Sequence, residues 1–204
     1  FDAIPIKQFK KINNILHEKY VKLENNSKIN IIFKKADLRT ILELKKYNLL
    51  KKQSFVEFPK QGLDELNLII STVKKLNGGL LLIDYGFLKQ QNKNTLQSIK
   101  DHKQNMIFDN VGSADITSLV NFNLLRKYLK KKNLKVNNIV TQDFFLKKMG
   151  IIKRAEKISQ KMNFKEKSDL FFRLQRLLGP NQMGNLFKVI SAFKLKRKFS
   201  LGFI

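Results

Sequence analysis

Asp84 closes a run of four apolar residues, Leu80-Leu81-Leu82-Ile83, and is followed directly by Tyr85 and Gly86. A carboxylate at the end of a strand-length apolar run can do chemistry, because it can hold a cation or a proton beside a ligand. Burying it without a partner is costly, so the competing reading is a hydrogen-bonded structural aspartate. No other stand-alone catalytic signature is present. The chain has no GxxxxGK[ST] phosphate loop, no GxGxxG and no GxSxG nucleophile elbow. It has no cysteine, which excludes a disulfide framework and a thiolate metal site. Its two histidines, His17 and His102, are too few and too far apart for a dedicated zinc motif.

The elements around Asp84 explain how it would be positioned. Leu63, Leu66, Ile69, Ile70 and Val73 recur at helical spacing, Lys74-Lys75 fall in the last turns, and Gly78-Gly79 ends the helix. A helix, a Gly-Gly stop and an apolar strand form the repeating unit of an open α/β sheet, whose strand ends face the ligand crevice. The unbroken apolar run predicts a central strand buried on both faces. Upstream, strands are expected at Ile4–Phe9, Leu16–Leu23 and Lys28–Phe33, the last two joined by a hairpin loop at Glu24-Asn25-Asn26-Ser27. Lys34–Gln53 reads as loop with one helix, and Phe55–Phe58 as a brief strand stopped by Pro59. Downstream, helices are expected at Phe122–Lys132, Phe144–Met149, Lys153–Asn163 and Glu166–Leu178. Strands are expected at Asn138–Gln142 and Leu186–Ile190, the latter carrying Lys188, which must reach solvent or a partner. The pairs Phe144-Phe145 and Phe171-Phe172 read as core rather than as stacking platforms.

At 204 residues and 43% hydrophobic content the chain can bury one core. No run of eighteen apolar residues occurs, so no membrane span is expected. The absence of a secretory signal pattern favours a reducing, intracellular compartment. The formal net charge of +25 points toward nucleic acid or an acidic partner. Against that stands the character of the cations. Lysine greatly outnumbers arginine, and the six arginines (Arg39, Arg126, Arg154, Arg173, Arg176, Arg197) are scattered. Bidentate readers of phosphate and base edges favour arginine, whereas Lys, Asn and Ile enrichment follows from AT-rich coding. Runs such as Lys130-Lys131-Lys132 are accounted for as solvated helix ends, where cations suit the dipole.

Short blocks in a fixed order carry more information than any one of them. Phe1-Asp2-Ala3-Ile4-Pro5-Ile6-Lys7-Gln8-Phe9 resembles the FDALPIxQF segment of MidA-type S-adenosylmethionine-dependent methyltransferases. Gly78-Gly79 through Asp84-Tyr85-Gly86 resembles their GGxxLxIDYG strand, and Thr95-Leu96-Gln97 with His102-Lys103 their DTLQ…H segment. Gly112-Ser113-Ala114-Asp115-Ile116-Thr117 with Val120-Asn121-Phe122 resembles PGxADLTxxVDF. Thr141-Gln142, Phe145-Leu146 and Met149-Gly150-Ile151 resemble TQxxFLxxLGI, and Pro180, Met183-Gly184 and Leu186-Phe187-Lys188-Val189 resemble PxxMGxLFKV. Asn94, Val111 and Asn121 stand where the family pattern has Asp, Pro and Asp, and Phe58 where a small polar residue is usual.

The resemblance implies an α/β fold, a Rossmann-like class I methyltransferase sheet. Residues 1–204 would form the C-terminal portion of a single methyltransferase domain, with a β-hairpin and loop excursion at 11–58 and a helical cover at 153–178. The strands near 138–142 and 186–190 would form the antiparallel end of the sheet. The implied cofactor is S-adenosyl-L-methionine. In the family its glycine-rich loop and ribose-holding acid lie upstream of the DALP segment, so the cofactor-binding residues are placed before residue 1 and no glycine here is assigned to them.

The implied partner is a protein substrate, an arginine of a respiratory complex I subunit or its bacterial counterpart, in the mitochondrial matrix or, for a bacterium, the cytoplasm. A guanidinium titrates above about 12, so acidic groups must grip its fork. Asp2, Asp84 and His102 are the catalytic candidates on this reading. Phe1, Pro5, Glu57, Tyr85, Gly86, Asp115 and Thr117 are the substrate-binding ones. For each there is a plainer role: a cap or turn for Asp2, Asp115 and Thr117, packing for Tyr85, and a surface position for His102. Two other functions compete. A basic nucleic-acid-binding or RNA-modifying module would use the charge. A non-catalytic assembly partner would keep the fold while Asn94 and Asn121 thin the acidic lining.

Overall fold

The structure, a computed structural model, describes residues 1–24, 28–89, 91–194 and 200–204. The expected loop at 25–27 and Arg197 lie outside the described residues. In chain order the first elements are β1 (Lys7–Ile12), β2 (Ile15–Leu23), β3 (Ile29–Lys35), α1 (Leu38–Lys46), β4 (Phe55–Phe58), α2 (Lys60–Lys75) and β5 (Gly79–Phe87). Then follow β6 (Gln97–Lys100), β7 (Lys103–Asn105), β8 (Asp115–Thr117), β9 (Val120–Asn121), α3 (Phe122–Lys131), β10 (Lys135–Val136) and β11 (Val140–Thr141). The chain closes with α4 (Gln142–Lys148), α5 (Ile151–Ser159), α6 (Phe164–Leu178), α7 (Met183–Leu186) and β12 (Phe187–Phe193). These elements group into two compact units. The first comprises Phe1–Leu68 with Lys89–Leu119, and the second Ile69–Leu88 with Val120–Ile204.

The first unit holds a four-stranded sheet in the order β3-β2-β1-β4 and a three-stranded sheet in the order β7-β6-β8, both antiparallel. The strand expected at Ile4–Phe9 begins only at Lys7, because Pro5 has no N–H to give a ladder and Ile4 N–H turns back to the Phe1 carbonyl. It then runs on to Ile12 and reverses through Asn13 and Asn14, at φ 49° and 63°. Positive φ at both central residues is the signature of the hairpin turn whose twist matches the strands, and asparagine tolerates it. Asp101 and His102, at φ 49° and 61°, make the same kind of turn between β6 and β7. Phe9 and Phe58 are fully buried, and Phe58 packs on Tyr47 with ring centroids 6.5 Å apart. Removing one such side chain from water is worth about 1.5–3 kcal/mol. Burial also pushes the Tyr47 phenol up. Asp37 caps α1, taking hydrogen bonds from the Thr40 N–H (2.8 Å) and hydroxyl (2.7 Å), and these bonds hold its carboxyl below the ordinary range. Asp115 and Thr117 lie in β8 and cap nothing, since a strand and not a helix begins there.

The second unit is built on β12, which pairs antiparallel with β5 over seven residues, from Phe187↔Tyr85 to Phe193↔Gly79. β10 and β11 pair with the other edge of β12, also antiparallel. β11 is only Val140–Thr141, shorter than the expected strand, because Thr141 already caps α4 with its hydroxyl on Phe144 N–H. Among the described residues parallel pairing is confined to Gly86↔Val120 and Phe87↔Asn121, where β9 joins the end of β5. β5 is not buried on both faces as expected. No strand pairs along its far edge at Gly79–Ile83 among the described residues, and Leu81 and Ile83 are 48% and 43% exposed.

Beneath β12 the core joins Val189 to Phe145 and Phe203, whose rings lie 5.3 Å apart. On the helices, Asn163 and Glu166 form a reciprocal capping box at the start of α6, and Gly150 at φ 85° ends α4. Lysines occupy the last turns of α1, α2, α3 and α4, the scattered placement that the helix dipole favours. The aromatic pairs split. Phe145 is buried and Phe144 is 38% exposed, whereas Phe171 and Phe172, expected in the core, are 62% and 61% exposed. The reason is the registry of α6, which packs through half-buried Leu170, Leu174, Leu177 and Leu178 and turns both phenylalanines outward.

A Cβ on Gly86 would lie 2.1 Å from the Val120 carbonyl oxygen and 3.0 Å from the Phe122 ring, whereas at Gly78 the nearest atom is 3.8 Å away. Gly86→Ala therefore destabilises the chain by about 3 kcal/mol or more, and Gly78→Ala stays within about 1 kcal/mol. Urea denaturation of the two variants checks this; equal midpoints would refute the close approach.

Candidate functional site

Two places in the structure gather polar side chains in the manner of a site, one in each unit. In the second unit, β5 delivers Asp84, Tyr85 and Gly86 to the end of the sheet where β9 runs parallel to it. Side chains leave a strand on alternate faces, so Asp84 and Tyr85 point to opposite sides. Asp84 is 9% exposed, and its Oδ1 accepts the Tyr85 backbone N–H at 2.8 Å. Tyr85 packs edge-on against Phe187 with centroids 5.6 Å apart. The residue opposite Asp84 in the register is Lys188, whose ammonium donates to the Asn185 and Leu186 carbonyls and so closes the end of α7. Burial pushes that ammonium below the ordinary lysine range. Lys188 thus finds the partner its position in a closing strand demanded.

Beyond the parallel pair, α3 starts with Asn121 as its cap, the Oδ1 accepting Leu124 N–H at 3.0 Å. A polar pocket of about 270 Å³ opens here, lined by Leu88, Asn123, Arg126, Asn138 and Ile139. Arg126 is held by the Asn123 side chain at 3.1 Å. Parallel strand ends next to a helix N-terminus are where open α/β sheets bind ligands.

In the first unit, Glu57 is the hub of a network that β1 and β4 bring together through the register Gln8↔Glu57. Its Oε1 accepts from Gln8 Nε2 (2.8 Å) and Thr95 N–H (2.9 Å), and its Oε2 from the Thr95 hydroxyl (2.5 Å). Gln8 Nε2 also donates to Asn94 Oδ1 at 2.6 Å, and Gln8 Oε1 accepts from Lys19 at 2.9 Å. Asn94 Oδ1 takes Leu96 N–H at 3.0 Å as well, and Thr95 Oγ1 takes Leu119 N–H at 3.1 Å. A carboxylate fixed by three donors has its oxygens aimed before any ligand arrives. From β1 itself Lys7 donates to buried Glu18 on β2 at 2.7 Å, and that hydrogen bond raises the Lys7 ammonium.

The other expected residues are placed as follows. In the first unit Phe1 and Ile4 lie against Gly62, and Asp2 is half-buried with its carbonyl accepting Ser118 N–H. Pro5 is exposed. Thr117 accepts from Gln97 Nε2 at 3.2 Å, and Asp115 is exposed on β8. His102 sits exposed in the β6–β7 turn. The sequence pointed to Glu57 but not to its partners Gln8 and Thr95, nor to Lys19, which holds Gln8. The available signal was Gln8 alternating with buried Phe9 on one strand and Glu57 alternating with buried Val56 and Phe58 on the other.

Residues 1–140 match a family described as "Putative S-adenosyl-L-methionine-dependent methyltransferase". The chain belongs to that family. It is the MidA-type family that the six sequence blocks resemble. Among curated proteins, this methyltransferase-family chain is 25% identical over 197 residues to the Danio rerio protein arginine methyltransferase NDUFAF7, mitochondrial. The match covers 97% of this chain and 46% of that protein. It is 28% identical over 204 residues to the Caenorhabditis elegans homologue of the same name, covering 98% and 47%. The chain therefore spans about half the length of the curated relatives it matches. In solved structures it superposes with TM-score 0.86 on an uncharacterized superfamily protein from Burkholderia thailandensis, at 19% identity, covering 98% of this chain and 55% of that one. A superfamily member from the same organism, bound to S-adenosyl-homocysteine, gives 0.74 at 19% identity, covering 94% and 51%. At that identity the likeness shows the fold, and the fold is the α/β methyltransferase one expected from the motifs.

Asn94 and Asn121 differ from the family pattern, and the structure gives each a role that asparagine fills. Both act through a side-chain carbonyl that accepts backbone N–H, which Asn and Asp supply alike. Asn121→Asp therefore leaves the urea midpoint unchanged, while Asn121→Ala lowers stability by about 1 kcal/mol. Thr95→Val, which strips a donor from Glu57 and an acceptor from Leu119, costs about 1–3 kcal/mol in the same experiment. A neutral Thr95→Val would show that the network does not hold Glu57.

Proposed function

We propose that this chain serves in an S-adenosylmethionine-dependent methyltransferase whose acceptor is an arginine of a protein, with the methylation linked to the assembly of respiratory complex I. The observation that carries this reading is the termination of β5 at Asp84-Tyr85-Gly86 beside the parallel β9. Membership of the methyltransferase family and relatives named as mitochondrial protein arginine methyltransferases support it. The same names support a mitochondrial compartment, for which the matrix is proposed. Among the described helices none is long and apolar enough to cross a membrane.

The residues present fit one part of the task. No glycine-rich loop occurs in the chain, so no residue here is assigned to hold the cofactor's phosphate-free backbone or ribose. What the cofactor supplies when bound is an electrophilic methyl group on sulfur. What this chain supplies is orientation and charge. Asp84, a buried carboxylate at a strand end, is proposed to take the guanidinium fork. In the other unit, Glu57, held by three donors, is proposed as a substrate contact in its own right and Asp2, on the segment that leads into β1, as a catalytic carboxylate. Holding an acceptor nitrogen at near-attack distance is worth up to about 7–11 kcal/mol of barrier, and a carboxylate beside it can take the departing proton. Tyr85 and Gly86 are proposed as substrate contacts at the same strand end, Tyr85 on the face opposite Asp84 and fixed by Phe187.

Lysines in the last turns of four helices are accounted for by the helix dipole, so that part of the charge gives the nucleic-acid reading no support. The non-catalytic reading rested on Asn94 and Asn121, both now given structural roles.

The test is calorimetric titration of S-adenosylmethionine into the polypeptide as its cell produces it, with residues 1–204 alone in parallel, followed by transfer of labelled methyl to arginine-containing protein. Binding and transfer are expected from the former. Asp84→Asn is expected to lower kcat/KM at least about tenfold, some 1.4 kcal/mol, with cofactor affinity retained. Failure of that polypeptide to bind the cofactor would sink the catalytic reading.

A further inference from the structure

Helix α6 leaves three phenylalanines in water. Phe164, Phe171 and Phe172 are 87%, 62% and 61% exposed, and the helix contains no fully buried residue. At about 100° per residue the three rings fall within an arc of roughly 100°, away from the packing face of Leu170, Leu174 and Leu177. Lys167 flanks the arc on one side and Lys165 and Arg176 on the other. Across residues 151–178 eight lysines and arginines stand against only Glu156, Glu166 and Asp169.

We propose that this face of α6 docks on an anionic lipid surface, lying parallel to it with the three rings at the acyl boundary and the flanking cations at headgroup phosphates. Charge decides among the occupants. A second copy of this chain would bring the same cations against these, on a molecule of formal charge +25. Single-stranded RNA would satisfy the cations, but it needs a groove in which bases stack between rings, and these rings stand on the outer face of one helix. A bilayer interface supplies both phases along a line, and the rings from Phe164 to Phe172 extend about 12 Å along the axis. The helix is not a membrane span, so insertion stops at the interface. The proposal is independent of methyl transfer.

The chain has no tryptophan, so Phe172→Trp gives a reporter at a single position. Its emission is expected to shift to shorter wavelength on adding phosphatidylcholine vesicles that contain phosphatidylserine, to stay unshifted with phosphatidylcholine alone, and to lose the shift as salt is raised. In sedimentation with the same anionic vesicles, Phe164→Ser combined with Phe171→Ser and Phe172→Ser is expected to lower binding at least about tenfold. Its thermal midpoint should not move, because these side chains are exposed in the fold. Three results would overturn the proposal: no shift with anionic vesicles, equal binding by the triple variant, or displacement of the protein from vesicles by single-stranded RNA in a manner that needs the same three rings.

Discussion

Everything at the end of β5 depends on the absence of a side chain at Gly86. A Cβ there would overlap the Val120 carbonyl oxygen at 2.1 Å, so the parallel contact between β5 and β9 exists only because residue 86 is glycine. That contact fixes where Val120 and Asn121 sit, and Asn121 in turn fixes where α3 begins. α3 then buries Phe122, Leu124, Leu125 and Leu129. One backbone approach thus couples the polar strand end at Asp84 and Tyr85 to a buried apolar helix face. A change that opens the approach disturbs the site and the core of this unit together.

The first unit solves its problem differently. Its hub is a charge, and a half-buried carboxylate is tolerable only when its lone pairs are used. Glu57 is supplied by Gln8 and twice by Thr95, and Thr95 passes its own acceptor capacity to Leu119. The donors come from a strand, a loop residue and a hydroxyl, so no single helix or hairpin could have assembled the arrangement. Asn94 enters it through its carbonyl alone, which is why an amide can occupy a position where the family has a carboxylate.

These two sites differ in how far the sequence revealed them. Asp84-Tyr85-Gly86 was legible because it follows a local rule, an apolar run of strand length ended by a polar residue and a glycine. The antiparallel end of the sheet followed from the resemblance, whereas the pairing of β12 with β5 is set by register and is seen only in the structure. Gln8 and Thr95 were not legible as partners of Glu57, nor Lys19 as the partner of Gln8, because they meet through cross-strand register and a loop, and register is set by the whole sheet. The turn at Asn13-Asn14 is a second hairpin, beside the expected one that joins β2 to β3. The strands of the β7-β6-β8 sheet are three or four residues long, too short for their alternation to stand out. Phe171-Phe172 misled for a physical reason. Adjacent residues on a helix point about 100° apart, so two neighbouring rings cannot both face a narrow core stripe, and here the leucines at 170, 174 and 177 already fill it.

The same helix shows why the charge cannot be read as a single number. Lysines in the last turns of α1 to α4 answer the helix dipole locally and would be there whatever the protein binds. Arg176, in the last turn of α6, has the same account, but Lys165 and Lys167 do not, since they lie in its first half, where the dipole disfavours them. They flank exposed rings, and an apolar face left in water beside misplaced cations is a conflict that folding alone leaves unresolved. An external surface that is apolar within and anionic at its boundary resolves both halves of it at once.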